Sequence, residues 1–327
     1  MGLMAELKQR SEFFNKKLAD YLKQGSPNSL YDAVRYLPLA GGKRLRPIIA
    51  MLACESVGGD FEVALPFGAS LELVHNFTLV HDDIMDKSKL RRNLPTVHAT
   101  FGEPLAILAG DTLFAKAFEI LHGASVEPSI LNELSFNMSK YTQEICEGQQ
   151  LDIEFEKRKK VTEEKYLEMI EKKTAVLFAF ASQGGAIIGN GSLEEIKSLK
   201  NYGKFLGLAF QMWDDYLDLN SNEKKLGKDI GNDVRNGKKT LIVIHSMINA
   251  DDADKNILVN ILGNKIASES DIKKIVNVFK KTGSLLYVKK KALDFSEKAK
   301  KNLDVLRDSH AKTILRELAD YSISREK

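Results

Sequence analysis

Apolar residues recur along this chain at three- and four-residue steps almost from end to end, and apolar/polar alternation is nearly absent. A period near 3.6 belongs to a helix with one buried face, and a period of two to a half-buried strand, so the pattern predicts an all-α protein. In the opening stretch LMAELKQRSEFFNKKLADYLKQ, Leu7, Phe14, Leu18 and Tyr21 fall on helical spacing, and Gly25-Ser26-Pro27 ends it. The same reading places further helices near 28–37, 47–57, 62–87, 104–121, 128–155, 162–171, 175–189, 193–221, 238–248, 252–261, 270–281, 284–305 and 308–322. Glycine and proline punctuate them in GGKRLRP, VGGD, FGEP, GNGS and LGKDIGND. Thr162 and Ser192 stand where a side-chain oxygen accepts from the first unpaired N–H groups of a helix. Ser192 with Glu195 three residues on makes a capping-box pattern.

With 327 residues, 43% of them hydrophobic, the chain can bury a large core. Length alone would allow two domains. Only 7 prolines, and no linker-like, repeated or low-complexity segment, favour a single all-α domain over 1–327, with antiparallel helices enclosing a deep central cavity. The N-terminal stretch is amphipathic and carries acids, unlike an apolar signal core. No run of about 18 uninterrupted apolar residues occurs, so no membrane span is expected and a cytoplasmic location is the default. The 48 basic and 45 acidic residues nearly balance, which gives no electrostatic argument for nucleic acid or an anionic membrane as partner. The two cysteines, Cys54 and Cys146, have no CxxC spacing and fit a reducing compartment.

The candidate chemistry begins at HNFTLVHDDIMD, residues 75–86. Asp82, Asp83 and Asp86 crowd one turn at the end of a greasy helix, where like charges oppose folding. Asp82 and Asp86 share a face. Two aligned carboxylates suit a hard divalent cation such as Mg²⁺, which keeps waters and bridges carboxylates to a substrate phosphate. Alone, such a motif reads equally as a solvated acidic helix end. The chain repeats it in the same register, as Asp214, Asp215 and Asp218 in FQMWDDYLD, again after an apolar helix. Two copies suit several Mg²⁺ ions around one polyphosphate.

Cations lie in glycine-punctuated loops near these helices: Lys43, Arg44 and Arg46; Arg91 and Arg92; Lys172 and Lys173; Lys228; Lys238 and Lys239. Singly each reads as an ordinary surface charge; together they suit a diphosphate. His75, seven residues before Asp82, lies on nearly the same helix face, and His81 directly precedes that acid. His98 and His245 carry no such signal. Paired-histidine zinc spacings, a Walker A loop and GxGxxG are all absent, which disfavours zinc hydrolases, nucleotide kinases and dehydrogenases.

GGKRLRP, LVHDDIMD followed by RR, AGD at 109–111, EGQQLDIEFE, KKTA, FQMWDDYLD and GKDIGNDVRNGKKTL occur in one order over nearly the whole chain. In this the sequence resembles the trans-isoprenyl diphosphate (polyprenyl) synthases. The resemblance implies an all-α bundle, usually a homodimer, that condenses isopentenyl diphosphate head to tail with allylic diphosphates. It further implies Mg²⁺ on Asp82, Asp86 and Asp214, with Asp83, Asp215 and Asp218 in support and Asp218 a further candidate ligand. Lys43, Arg46, His75 and Arg92 match positions that bind isopentenyl diphosphate. Arg91, Lys173, Lys228 and Lys238 match those that grip the allylic diphosphate, and Thr174 and Gln211 match polar groups facing the developing cation. Gln149 and Asp152 match a helix motif near the site. Trp213 stands where a phenylalanine is often found, and the basic C-terminal tail of some members is reduced to Arg325 and Lys327.

The first motif is a plain DDxxD, and the product tail is expected to grow beside the helix that precedes Asp82. Phe77, five residues back, lies roughly 7.5 Å deeper and Thr78 one residue less. An aromatic at the fifth position with a small residue at the fourth resembles archaeal-type geranylgeranyl synthases. On an ideal wheel Thr78 shares the Asp82 face and Phe77 is about 140° away, so Phe77 as a floor rests on the resemblance. Geranylgeranyl diphosphate is the expected product, with farnesyl or a longer chain as the alternative. A class I terpene cyclase would not need a second DDxxD or an isopentenyl site, and a non-catalytic synthase subunit would tend to lose aspartates.

Overall fold

The computed structural model describes residues 2–220 and 231–325. Their secondary structure is helical throughout apart from one hairpin. The long helices are α1 (Leu3–Tyr21), α2 (Asn28–Leu39), α3 (Leu45–Ser56), α4 (Leu65–Met85), α6 (Glu103–Leu121), α7 (Pro128–Lys157), α9 (Val176–Ile188) and α10 (Leu193–Asn220). Shorter ones are α5 (Val97–Phe101), α8 (Glu163–Ile170) and α11 (Asn232–Asn236). The chain closes with α12 (Leu241–Asn249), α13 (Asp252–Ile261), α14 (Glu269–Lys281), α15 (Ser284–Asn302) and α16 (His310–Ser322). The helix periodicity of the sequence is thus realised nearly element for element. Thr162 caps α8 by accepting from Lys165 N–H at 3.3 Å, and Ser192 and Glu195 form their reciprocal box.

The described residues fall into two compact units. The first takes in the described residues of Met1–Lys140, Phe180–Lys200 and Leu303–Glu317. Its core is built on Phe14, Leu18, Ile48, Phe67, Leu71, Leu113 and Phe180, all fully buried. Helix α4 runs along α6 and against α3. Close approach is licensed by glycines: a Cβ at Gly110 of α6 would stand 2.2 Å from His81 Nε2, and one at Gly185 would stand 2.2 Å from the Ala50 carbonyl. The segment Phe61–Met85 is long and apolar enough to cross a membrane, but 72% of its most apolar window is buried in protein, which makes it a core helix.

The second unit takes in the described residues of Tyr141–Ala179, Asn201–Asn302 and Leu318–Lys327. Phe155, Tyr166, Met212, Leu241, Ile242, Phe279 and Val288 form its core.

One element departs from the helical pattern. Leu90–Arg91 (β1) and Leu94–Pro95 (β2) pair antiparallel, Leu90 opposite Pro95 and Arg91 opposite Leu94. Arg92 and Asn93 turn the corner at φ 54° and 62°. Two consecutive positive φ values are those of a type I′ turn, whose twist matches that of the strands. Two-residue strands are too short to leave a visible period in the sequence.

Candidate active site

In the first unit the acids terminate α4, whose buried face carries Leu71, Leu73, Val74 and Val80. Asp86 is its C-cap and donates its N–H to Asp82 O at 2.8 Å, which sets these two residues one turn apart. Asp82 is half-buried and Asp86 exposed. Asp83 points elsewhere: it is 1% exposed and held in a two-point fork by Arg91, Nε to Oδ2 and Nη2 to Oδ1, both 2.8 Å. Fork geometry is what makes arginine–carboxylate pairs directional. The fold therefore commits Asp83 to Arg91, anchoring the hairpin to α4, while the arginine side chain stays 22% exposed.

The basic loop 41–46 separates its cations in the same way. Arg44, in the left-handed region at φ 53°, turns inward. It pairs with buried Glu72, donates to Pro38 O, and reaches Asn15 Oδ1 at 2.8 Å. Asn76 donates to the Glu72 carbonyl at 2.7 Å, which completes the bracket between loop and α4. Arg92 donates to the carbonyl of Gly41. Gly42 has φ 141°, and a Cβ there would meet the Arg92 guanidinium at 3.0 Å, so the two glycines let the backbone wrap this cation.

His75 is half-buried on α4. Burial, and then the positive charges of Arg46, Arg92, Arg91 and Arg44, hold its imidazole well below the ordinary histidine value. It is neutral near pH 7, offering one N–H to an anion that the arginines would attract. His81 does not join it: its Nε2 lies 3.2 Å from Ile107 O over Gly110. Phe77 is half-buried, with its ring centroid 5.2 Å from His81 and 5.4 Å from Phe114, which in turn lies 5.3 Å from Phe118. Thr78 Oγ1 donates to His75 O at 2.8 Å.

In the second unit, Lys173 and Thr174 sit in a π-helical turn, Glu171–Ala175, inserted between α8 and α9. Such turns concentrate at functional sites because they redirect side chains that an α-helix would hold in register. Glycines flank it: a Cβ at Gly148 of α7 would stand 2.3 Å from Lys173 N, and one at Gly207 of α10 would stand 2.5 Å from Ala175 Cα. Asp152, 6% exposed, receives Lys173 Nζ at 2.7 Å and Lys238 Nζ at 2.9 Å, and Lys238 also reaches Glu156 at 2.7 Å. Burial would raise the Asp152 carboxyl, but the two lysines outweigh it and hold the group below the usual aspartate range.

A hydrogen-bonded chain runs beside this cluster. Thr174 Oγ1 donates to Gln211 Oε1 at 2.9 Å, Gln211 Nε2 donates to Asp215 Oδ1 at 2.9 Å, and Tyr166 OH donates to Asp215 Oδ2 at 2.7 Å. Burial, with Asp233 and Asp214 nearby, pushes the Asp215 carboxyl well above its ordinary value despite those two donors. Asp218 accepts from the Asp233 N–H at 3.3 Å, at the start of α11. Asp214 is the open acid of this motif, 42% exposed, and Arg325 meets it at 2.7 Å. The buried amide of Gln149 has no hydrogen-bond partner on either Nε2 or Oε1 among the described residues. Lys172 pairs with Glu147 on an exposed face, and Lys228 and Lys327 lie outside the described residues.

Tyr166 and Glu72 are contributions that sequence reasoning missed. A lone tyrosine or glutamate on an amphipathic helix carries no spacing signal; only the fold brings each to its partner.

Among the described residues no three His, Cys, Asp or Glu side chains converge as a ready metal-binding group. The donors present are carboxylates one turn apart, one at a helix cap. That arrangement fits a hard cation completed by water and substrate oxygens, and not a closed structural site.

A family model described as polyprenyl synthetase matches residues 27–279. The geranylgeranyl diphosphate synthase of Methanosarcina mazei is 48% identical, covering 100% of this chain and 99% of its own. The crystal structure of geranylgeranyl pyrophosphate synthetase from Pyrococcus horikoshii superposes with a TM-score of 0.94 at 44% identity, covering 99% of this chain and 98% of that one. A geranylgeranyl pyrophosphate synthase from Corynebacterium glutamicum, crystallised with isoprenyl diphosphate and magnesium, matches with a TM-score of 0.90 at 28% identity over 96% of this chain and 98% of its own.

Proposed function

The chain belongs to the polyprenyl synthetase family and is a trans-prenyltransferase, and we propose that it makes geranylgeranyl diphosphate by repeated Mg²⁺-dependent condensation of isopentenyl diphosphate onto allylic diphosphates. The observation that carries this reading is the neutral His75 set among Arg44, Arg46, Arg91 and Arg92. It supports an anion site beside the first acidic motif, as a two-diphosphate reaction requires. A terpene cyclase, with a single diphosphate substrate, has no use for it.

On this reading Lys43, Arg46, Arg92 and His75 bind and orient isopentenyl diphosphate. Lys173, Lys238 and Lys228, with Arg91 at the hairpin, hold the allylic diphosphate. Asp82 and Asp86 of the first unit and Asp214 of the second would hold metal, with Asp218 a further candidate ligand; bound Mg²⁺ supplies charge neutralisation to the departing diphosphate. The allylic C–O bond ionises and the isopentenyl double bond forms the new C–C bond. One proton then leaves to the released diphosphate. Thr174 and Gln211, tied in one direction by Asp215 and Tyr166, present fixed oxygen dipoles to the cation, the preorganisation that lowers such barriers. Asp152 keeps both lysines aimed. We further place residues 1–327 in one catalytic domain, in the cytoplasm. We take the chain as a homodimer, for which Ile107, Leu108 and Phe136, 42%, 52% and 70% exposed, offer an apolar surface.

Product analysis tests the reading directly. With labelled isopentenyl diphosphate, Mg²⁺ and each of dimethylallyl, geranyl and farnesyl diphosphate, label is expected to accumulate in geranylgeranyl diphosphate. Farnesyl or longer products would overturn the chain length, and no incorporation would overturn the activity. Phe77→Ala is expected to shift products to longer chains by removing a ring braced on Phe114 and His81. An unchanged profile returns Phe77 to ordinary core.

A further inference from the structure

The acids of the second motif are unequally committed. Asp215 is buried under Tyr166 and Gln211, and Asp218 accepts a backbone N–H. Asp214 keeps 42% exposure and, among the described residues, pairs at 2.7 Å with the guanidinium of Arg325. That arginine comes from the C-terminal end of the described chain, and its own side chain is only 3% exposed. Its Nη2 also donates to Phe210 O at 3.1 Å and its Nε to Ser322 O at 3.2 Å, while the guanidinium lies 3.9 Å from the Phe210 ring centroid. The backbone joins in: Trp213 Nε1–H donates to Arg325 O at 2.9 Å. Trp213 directly precedes Asp214 and is the chain's one tryptophan.

A nearly buried guanidinium needs its counter-charge, and a carboxylate that gives its oxygens to a divalent cation no longer supplies it in full. We propose that Arg325 is a positioning residue of the second acidic motif, the resident counter-cation of Asp214 that a divalent cation carrying diphosphate displaces. Binding at Asp214 is thereby coupled to the seating of the C-terminal segment on Trp213. The proposal rests on the reading of Asp214 as a metal ligand.

The test uses the full chain with Mg²⁺ and inorganic diphosphate, followed by calorimetry and by Trp213 fluorescence, with circular dichroism to confirm folding. In the wild type the fluorescence is expected to shift saturably as Mg²⁺–diphosphate binds. Arg325→Gln is expected to bind about tenfold tighter, the scale of a partly buried ion pair, and to start near the shifted fluorescence and move little. Arg325→Lys, which keeps the charge, is expected to restore the weaker affinity. Wild-type fluorescence that stays constant through saturation overturns the proposal, even if the Gln variant fails to fold. Unchanged affinity in Arg325→Gln also overturns it, and if Asp214→Asn loses binding in the same experiment, Asp214 stands as a ligand without the exchange. If Asp214→Asn binds like the wild type, the ligand assignment itself falls and the proposal falls with it.

Discussion

Asp82→Ala is expected to lower turnover by roughly three orders of magnitude, about 4 kcal/mol of barrier, while leaving α4 folded. The size follows from the role. A carboxylate that places a divalent cation against a leaving diphosphate acts where charge develops, so its loss falls on the transition state more than on the ground state. The fold should survive because Asp82 is half-buried near the end of its helix, alanine favours helix, and removing one of three clustered acids relieves repulsion. Steady-state kinetics beside a far-UV dichroism melt separate the two effects. Near-wild-type rates in a folded variant would remove Asp82 from the metal site.

Asp152→Asn is expected to cost both stability and catalysis, because one buried carboxylate serves two ammonium groups. Lys173 and Lys238 meet it at 2.7 and 2.9 Å with side chains only 26% and 11% exposed. Removing the shared carboxylate costs each lysine a charge-assisted partner, although Lys238 keeps Glu156 at 2.7 Å, and a loss of about 2 kcal/mol is the usual scale. kcat/KM is expected to fall about a hundredfold as the lysines lose their aim. The pH dependence fixes the sign. The Asp152 carboxyl is held below the usual aspartate range. The stability it contributes is therefore complete above that range and is lost as pH falls through its lowered value. The Asn variant should lack this part of the acid limb in a pH series of chemical melts. A variant as stable as the wild type at neutral pH, with the same acid limb, would show that the lysines do not depend on Asp152.

How much of this was legible before folding differs from residue to residue. Asp82 and Asp86 were legible as a pair because helical periodicity alone places i and i+4 on one face, and the Asp86 N–H to Asp82 O bond realises that register. Asp83 was legible as an acid but not as the anchor of Arg91, since the hairpin that returns the arginine has strands too short to show a period. The basic loop reads as three equivalent cations, yet Arg44 is turned inward onto Glu72 and belongs to the architecture. In KKTA the residue types are visible, whereas the π-turn that redirects them arises where Gly148 and Gly207 admit close backbone contact. Tyr166, 49 residues from Asp215 along the chain, had no local signal at all.

The sequence by itself determined the helical class, the helix boundaries to within a few residues, and the residue types of the chemistry, because periodicity, capping and motif spacing act over one or two turns of chain. Only the tertiary structure decided which carboxylate stays open to a ligand and which is consumed by the fold. It closed Asp83 on Arg91, Asp215 on Tyr166 and Gln211, and Asp152 on two lysines, while leaving Asp214 part-exposed against Arg325. The physical reason is that desolvation and pairing depend on distance in space. A buried charge must find its partner wherever the packed helices bring one, and for Arg325 and Asp214 that partner lies at the other end of a long path along the chain.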